Sequence, residues 1–423
     1  MKSGRNWGRL GMMFDNSPLY YVESNFDGNR YILYDLAKWK NGLAFKKIDF
    51  SDNGGIPVIK IAELNNGLGS TTAYTKGVYD DEVYLEFGDF LFSWSGNPQT
   101  SIDIFRFQLK NGWLNQHIFK VTPNESVIYK EFFFYIMKWL KPNFTDIATN
   151  KQTTGLGHVT ISDLKRLSVV IPDMKLQRII GDFLHSVDRK IALNTAINEN
   201  LESQAQAIFK SWFMDFEPFG GVMPEDWKIG MVDDLSKEIV CGKTPSTKKE
   251  EYYGNDMPFI TIPDMHNCTY VLSTERKLSK LGANTQIKKT LPKNSICVSC
   301  IGTAGLVVLV PTESQTNQQI NSIIPKSSYS SYYIFLLMKT LSKRINSLGQ
   351  SGSTIVNLNK TQFGKIEVLI PSIDSMNKFD FVVNSIFEKI LNNQKENIQL
   401  SNLRDTLLPK LMNGEIDVSE VKI

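Results

Sequence analysis

A single offset of 199 residues relates the two halves of this chain. It is kept most strictly in two long stretches of 4-3 apolar spacing. The first places Ile180, Leu184, Val187, Ile191, Asn194, Asn198, Leu201, Ala205, Ile208 and Trp212 on one stripe. The second places Phe379, Val383, Ile386, Ile390, Asn393, Asn397, Leu400, Arg404, Leu407 and Leu411 on another, each its counterpart plus 199. A sustained 4-3 stripe is the seam of a coiled coil. Both seams are broken near the middle by two asparagines, polar groups that lower stability and commonly set register. The first arm runs about 43 residues, roughly 65 Å of helix, and a seam of that length needs a partner.

Antiparallel pairing of the two arms is the natural solution within one chain, because globule and arm alternate head to tail. With midpoints aligned, Asn194 and Asn198 come opposite Asn397 and Asn393, where amides can donate to and accept from one another. A one-heptad slip would set them against apolar layers, at about 1–3 kcal/mol per unsatisfied group. The expected object is pseudo-twofold, a globule at each end of a rod.

The rest of the chain repeats more loosely. Ile56-Pro57-Val58-Ile59-Lys60-Ile61 parallels Met257-Pro258-Phe259-Ile260-Thr261-Ile262, and Leu114-Asn115-Gln116-His117-Ile118 parallels Thr316-Asn317-Gln318-Gln319-Ile320. Gly88 to Ser93 likewise parallels Lys293 to Val298. These runs are short, rich in Ile, Val and Phe, and bounded by Gly, Pro and Asn, so they read as strands. Segments 126–140 and 328–345 read as helices. The predicted class is α+β: mixed globules at 1–172 and 217–371, a long helix at 173–216, and a second long helix with a C-terminal tail at 372–423. Each helix opens after a proline, at Ile171-Pro172-Asp173 and Ile370-Pro371-Ser372. Pro218 with Gly220-Gly221 closes the first. Asn413-Gly414 closes the second, with Pro409 a point where it can kink earlier.

A length of 423 residues exceeds one ordinary core. No apolar run reaches the roughly 18 residues of a membrane helix, and Met1 to Tyr20 holds no apolar stretch of signal-peptide length. Four cysteines and no disulfide-like pattern suit a reducing, cytoplasmic setting. The net charge of +3 singles out no partner.

Catalytic patterns fail on inspection. Gly242-Lys243-Thr244 suggests a phosphate loop, but that motif needs a glycine where Lys237 stands. Asn97-Pro98 is followed by Gln99 rather than by an aromatic that could stack on a flipped base. Cys297 and Cys300 lie in a strand-like run without a second pair, which favours buried thiols over zinc. His117, His158, His185 and His266 are scattered.

Globule, long helix, globule, long helix, in a near-exact internal repeat, resembles the specificity subunit of type I restriction-modification enzymes. The local signatures are Leu167-Ser168-Val169-Val170-Ile171-Pro172 and Ile366-Glu367-Val368-Leu369-Ile370-Pro371, with Ser162-Asp163-Leu164 and Thr361-Gln362-Phe363 before them. Leu407-Leu408-Pro409-Lys410-Leu411-Met412-Asn413-Gly414 and the opening Pro224-Glu225-Asp226-Trp227 are also similar, although no equivalent of that opening stands near Arg30.

The resemblance implies a non-catalytic subunit whose globules are target-recognition domains, each reading half of a split sequence in double-stranded DNA. The arms would set the spacing and bind two methyltransferase subunits, which carry S-adenosylmethionine. A restriction subunit, with its ATP and Mg, would join for cleavage. A pseudo-twofold rod suits duplex DNA, where half-sites about one turn apart (roughly 34 Å) lie on one face. A coiled-coil scaffold joining two protein-binding globules is the alternative reading.

Base reading needs paired donors and acceptors, and phosphate contacts need lysine, arginine and small hydroxyls. The DNA-binding candidates are Lys46, Lys47, Lys60, Asn65, Lys151, Gln152 and Thr153 in the first globule. In the second they are Lys243, Thr244, Ser246, Lys248, Lys249, Gln350 and Ser351. Asn115-Gln116 and Asn317-Gln318 are kept in both halves, which fits a structural role as well as a contact. Apolar residues off the seam, Phe183, Phe209, Phe213, Val382, Phe387 and Leu408, are candidates for partner binding or for packing on the adjacent globule.

Overall fold

The computed structural model describes residues 20–152, 155–349 and 357–418. It divides into two compact units, one of residues 1–189 with 400–423 and one of residues 190–399. The two long helices run Met174–Phe213 and Ile373–Met412, so both of their ends keep the 199-residue offset. The second helix continues through Pro409 to Met412, and Gly414 follows in the left-handed conformation that ends a helix (φ 73°). The chain after the first helix turns at Phe216, Gly220 and Gly221, all of positive φ.

The helices pair antiparallel, and the second unit contains the asparagine layers. Asn194 donates its amide to Asn397 Oδ1 (2.9 Å) and to Glu396 (2.7 Å). Asn393 donates to Asn198 Oδ1 (2.9 Å), and Asn198 donates to the Ile390 carbonyl (3.4 Å). Asn194, Asn198 and Asn393 are buried. Each thus has the partner that a buried amide requires. In the first unit the seam position Arg404 is also polar: its guanidinium meets Asp188 at 2.7 Å, and Asp188 accepts from the Tyr135 hydroxyl.

Two sheets recur in the same form. In the first unit Ala37–Asn41, Ile118–Pro123, Phe90–Ser93 and Asp103–Arg106 make an antiparallel sheet in that order. In the second unit Ser236–Cys241, Ile320–Pro325, Ile296–Ser299 and Val307–Leu309 repeat it. Beside each is a smaller sheet built on a parallel pair, Val58 beside Trp113 and Phe259 beside Gln315. The helical stretches both start and end later than their spacing suggests and are each broken in two: Lys130–Trp139 and Lys141–Asn150, then Ser331–Thr340 and Ser342–Gly349. Pro142 at the start of one explains its break, since proline fits a first helical turn but not an interior.

Each core recruits both long helices. The first joins Ile180 and Leu184 to Leu411 and Met412, around Phe132, Phe133 and Phe144. The second joins Phe209 and Phe213 to Phe379, Val383 and Phe387, around Tyr333 and Phe335. Burying side chains of this size contributes about 1.5–3 kcal/mol each.

The units differ at one sheet edge. In the first, Tyr20–Tyr21 adds a parallel strand to Leu167–Ile171, and Val22 N–H donates to the Ser168 carbonyl (3.0 Å). In the second, Glu367–Ile370 pairs only with Lys228–Met231 among the described residues. Its carbonyls are met by side chains instead. The Arg344 guanidinium donates to Glu367 O (3.5 Å) and the Tyr333 hydroxyl to Leu369 O (2.6 Å). Such caps blunt an edge that would otherwise invite a foreign strand.

Replacing Asn194, Asn198, Asn393 and Asn397 together by Leu should raise the melting temperature while loosening the helix register. Cysteines at Leu201 and Ile390, the next seam positions in the same register, should then crosslink incompletely, with slipped pairs forming in competition. Crosslinking confined to the original pair would refute a register role for the asparagines.

Candidate nucleic-acid interface

Both units use the same device to launch a loop from the large sheet. The strand Ala37–Asn41 ends at Gly42, whose N–H donates to Ile118 O (3.1 Å) while Leu43 N–H donates to Leu114 O (2.9 Å). The strand Ser236–Cys241 ends at Gly242, bonded to Ile320 O (3.3 Å), with Lys243 N–H on Thr316 O (3.0 Å). A Cβ on Gly42 would lie 2.1 Å from Asn115 O, and one on Gly242 would lie 2.2 Å from both Asn317 O and Thr316 O. Only glycine permits this approach.

The two Asn-Gln pairs are the floor beneath these loops. Asn115 and Asn317 donate their backbone N–H to Ile59 O and Ile260 O, at 3.1 and 3.2 Å. Gln116 N–H then donates to Leu43 O (2.8 Å), and Gln318 Oε1 accepts from the Thr244 hydroxyl (2.7 Å). In the second unit Lys289 adds a clamp, its ammonium donating to Cys241 O (2.6 Å) and Gly242 O (3.3 Å).

Several of the sequence candidates stand on these two loops. Lys46 and Lys47 are exposed at a 3-10 turn, Lys47–Asp49, whose Asp49 carboxylate accepts the Lys46 N–H. Lys60 caps the next turn, its ammonium 5.2 Å from the Phe50 ring, and Asn65 is exposed at the far end of the short helix Ile61–Asn66. Lys243, Ser246, Lys248 and Lys249 are exposed on the second loop, while Thr244 is half-buried. The Tyr252 hydroxyl beside the Lys249 ammonium (3.1 Å) pushes its pKa up, keeping it charged. No helix opens behind Gly242-Lys243-Thr244; the next element is the 3-10 turn Glu250–Tyr252, so the loop lacks the helix N-terminus of a phosphate loop.

Other candidates are placed differently. Lys151 is engaged by the buried carboxylate of Asp163. Burial works to raise the pKa of Asp163, but Lys151 and the Thr160 N–H and hydroxyl hold it below the usual range. Lys151 therefore has a structural anchor, and Gln152 beside it is exposed. Thr153, Gln350 and Ser351 lie outside the described residues.

The partner-surface candidates need correction. Phe209, Phe213 and Phe387 are buried in the core of the second unit and offer a partner nothing. Phe183 and Leu408 pack half-buried on the first core. Val382 alone of the six is exposed, next to Phe381 at 89% exposure. The open feature along the helices is a cleft of about 1300 Å³ in the second unit. Glu199, Gln206, Asp264, Glu275 and Lys339 are among its lining residues.

Two features escape a reading of spacing alone. His117 and His158 are both brought against Trp94, ring centroids 5.1 and 5.9 Å away. Burial and the neighbouring His158 lower the pKa of His117. Cys297 and Cys300 are buried in or beside the strand Ile296–Ser299, and burial pushes both thiols up to about 12, protonated and unreactive at neutral pH.

The comparisons with known proteins agree with this duplicated geometry. The profile of the type I restriction modification DNA specificity domain matches twice, at residues 29–203 and 224–402. The type I restriction enzyme HindI specificity subunit of Haemophilus influenzae is 37% identical, over 70% of this chain and 79% of its own length. The MjaIX specificity subunit of Methanocaldococcus jannaschii is 27% identical, over 73% of each. The crystal structure of a type I restriction-modification S subunit from M. genitalium shares the fold, with a TM-score of 0.59 at 16% identity, covering 96% of this chain and 99% of that one.

Gly42→Ala and Gly242→Ala should each destabilise the chain by about 1–3 kcal/mol and displace one loop. The loss should appear in a denaturant melt. Wild-type stability in both variants would mean that the loops are not held by this close approach.

Proposed function

Because the chain belongs to the family of type I restriction-modification DNA specificity subunits, we propose that each globule reads one half of a bipartite sequence in duplex DNA and that the chain itself is non-catalytic. The observation that carries the reading is the repeated loop. One glycine-hinged framework presents Lys46 and Lys47 in the first unit and Lys243, Lys248 and Lys249 in the second. A shared frame with different side chains is what two readers of different half-sites require, since phosphate contacts position a protein and base contacts specify it.

The paired helices set the spacing between half-sites and dock two methyltransferase subunits, with the open cleft of the second unit a place for such a contact. Those subunits bring S-adenosylmethionine. A restriction subunit, carrying ATP and Mg, joins through them. No helix among the described residues is long and apolar enough to cross a membrane.

Deleting this gene from a host that retains the partner methyltransferase should abolish adenine methylation at one split motif in a genome-wide map. An unchanged map, with the methyltransferase active, would favour a scaffold that does not read DNA. Binding to that motif should also weaken steeply with salt, as neutralised phosphates release counterions. Exchanging residues 1–172 for another such domain should alter one half of the motif only; a change in both halves would contradict independent readers.

A further inference from the structure

The lysine-bearing loop of the first unit also presents two apolar side chains that phosphate binding does not need. Ile48 sits at the tip of the turn Lys47–Asp49 and is 89% exposed, and Val78 in the neighbouring loop is also 89% exposed. Single exposed aliphatics are common on protein surfaces. These two share one rigid base. The rings of Phe45 and Phe50 stack at 6.5 Å at the foot of the Ile48 loop. Phe45 meets Tyr79 edge-on at 5.0 Å, and Tyr79 rests on Trp113 at 5.2 Å. Ser51 N–H donates to Tyr74 O (2.8 Å), and the Thr75 hydroxyl bonds the Tyr79 hydroxyl (3.0 Å), so both loops are tied to the same small sheet.

Exposed ammonium groups stand close to both in sequence. Lys46, Lys47 and Lys76 are exposed, and Lys60 lies over Phe50. Of the nearby acids, Asp49 is occupied by the Lys46 N–H, and Asp80 by the Lys40 ammonium and the Glu82 N–H. Glu82 pairs with Lys38 and Lys40, and Asp52 and Asp81 are exposed. Aliphatic tips on an aromatic base, with Lys46, Lys47 and Lys76 exposed next to them in sequence, complement a surface that is anionic at its rims and carries methyl groups on its floor. The major groove of DNA has that chemistry, with phosphates along its edges and the C5-methyl of thymine inside.

Building on the reading of the first globule as a half-site reader, we propose that Ile48 and Val78 are specificity contacts of the first unit. They meet thymine methyl groups in the major groove, while Lys46, Lys47 and Lys76 hold the flanking phosphates. Both side chains are almost wholly in solvent, so truncating them leaves the fold intact.

The test uses the full chain in complex with its methyltransferase and a duplex carrying the mapped motif. Thymines of the first half-site are replaced one at a time by deoxyuridine, which removes only the methyl. Wild type should lose about tenfold in affinity at one or two positions. Ile48→Ala or Val78→Ala should lose a similar factor on thymine DNA and no longer distinguish deoxyuridine at its own position. Second half-site substitutions should affect wild type and variants alike, and Lys47→Gln should weaken all duplexes equally. Variants that keep the full thymine preference, or a wild type indifferent to every first-half methyl, would overturn the proposal while leaving the half-site reading in place. A complex that binds no mapped motif at all would overturn both.

Discussion

The structure depends on one polar interruption in an apolar seam. Apolar layers in a coiled coil are nearly interchangeable, so a stripe of Ile, Leu and Val tolerates a slip by one heptad. Buried amides do not. The Asn194–Asn397 and Asn198–Asn393 pairs satisfy each other only in one alignment. That alignment also decides the second core, because Phe209 and Phe213 come from one helix while Phe379, Val383 and Phe387 come from the other. A slip would strand the amides and pull large aromatics out of register with the sheet they cover. The same seam enters the first core through Ile180, Leu184 and Leu411.

On this fixed frame the two units separate what must be constant from what can differ. The constant part is backbone: a glycine pressed against a neighbouring carbonyl, and an asparagine, Asn115 or Asn317, whose main-chain N–H bonds the adjacent strand. The variable part is side chain: lysines on aromatic supports, at Phe50 in one unit and Tyr252 in the other. The acidic content of the chain is largely spent on turns and local ion pairs, as at Asp49, Asp163 and Asp264.

Much of this architecture is legible in the sequence because it is periodic. The helices, their equal ends, the paired asparagines and most of the matching strands follow from spacing and from the 199-residue repeat. The runs Leu114–Ile118 and Thr316–Ile320, read as strands, are instead turns joining one strand to the next, with His117 at positive φ. What spacing hides is non-local. Phe209, Phe213 and Phe387 lie off the seam and resemble an open flank until the adjacent globule folds over them. Lys151 looks free, yet the carboxylate that engages it is buried twelve positions later, at Asp163. His117 and His158 are far apart in the chain and are brought together at Trp94. The hinge glycines, Gly42 and Gly242, are 200 residues apart and readable in principle, but a lone glycine between strand and loop carries no signal until its crowding against Asn115 and Asn317 is seen.

That crowding has a consequence for how such a chain can diversify. The Gly242 loop is pinned at its start by main-chain bonds and by Lys289, and it rejoins regular structure at Glu250–Tyr252. With both ends held, added residues leave the sheet undisturbed and carry mainly a closure cost, which rises by only about 0.6 kcal/mol for each doubling of loop length. New residues can be inserted between fixed posts, and the protein can acquire a different vocabulary without learning a new fold.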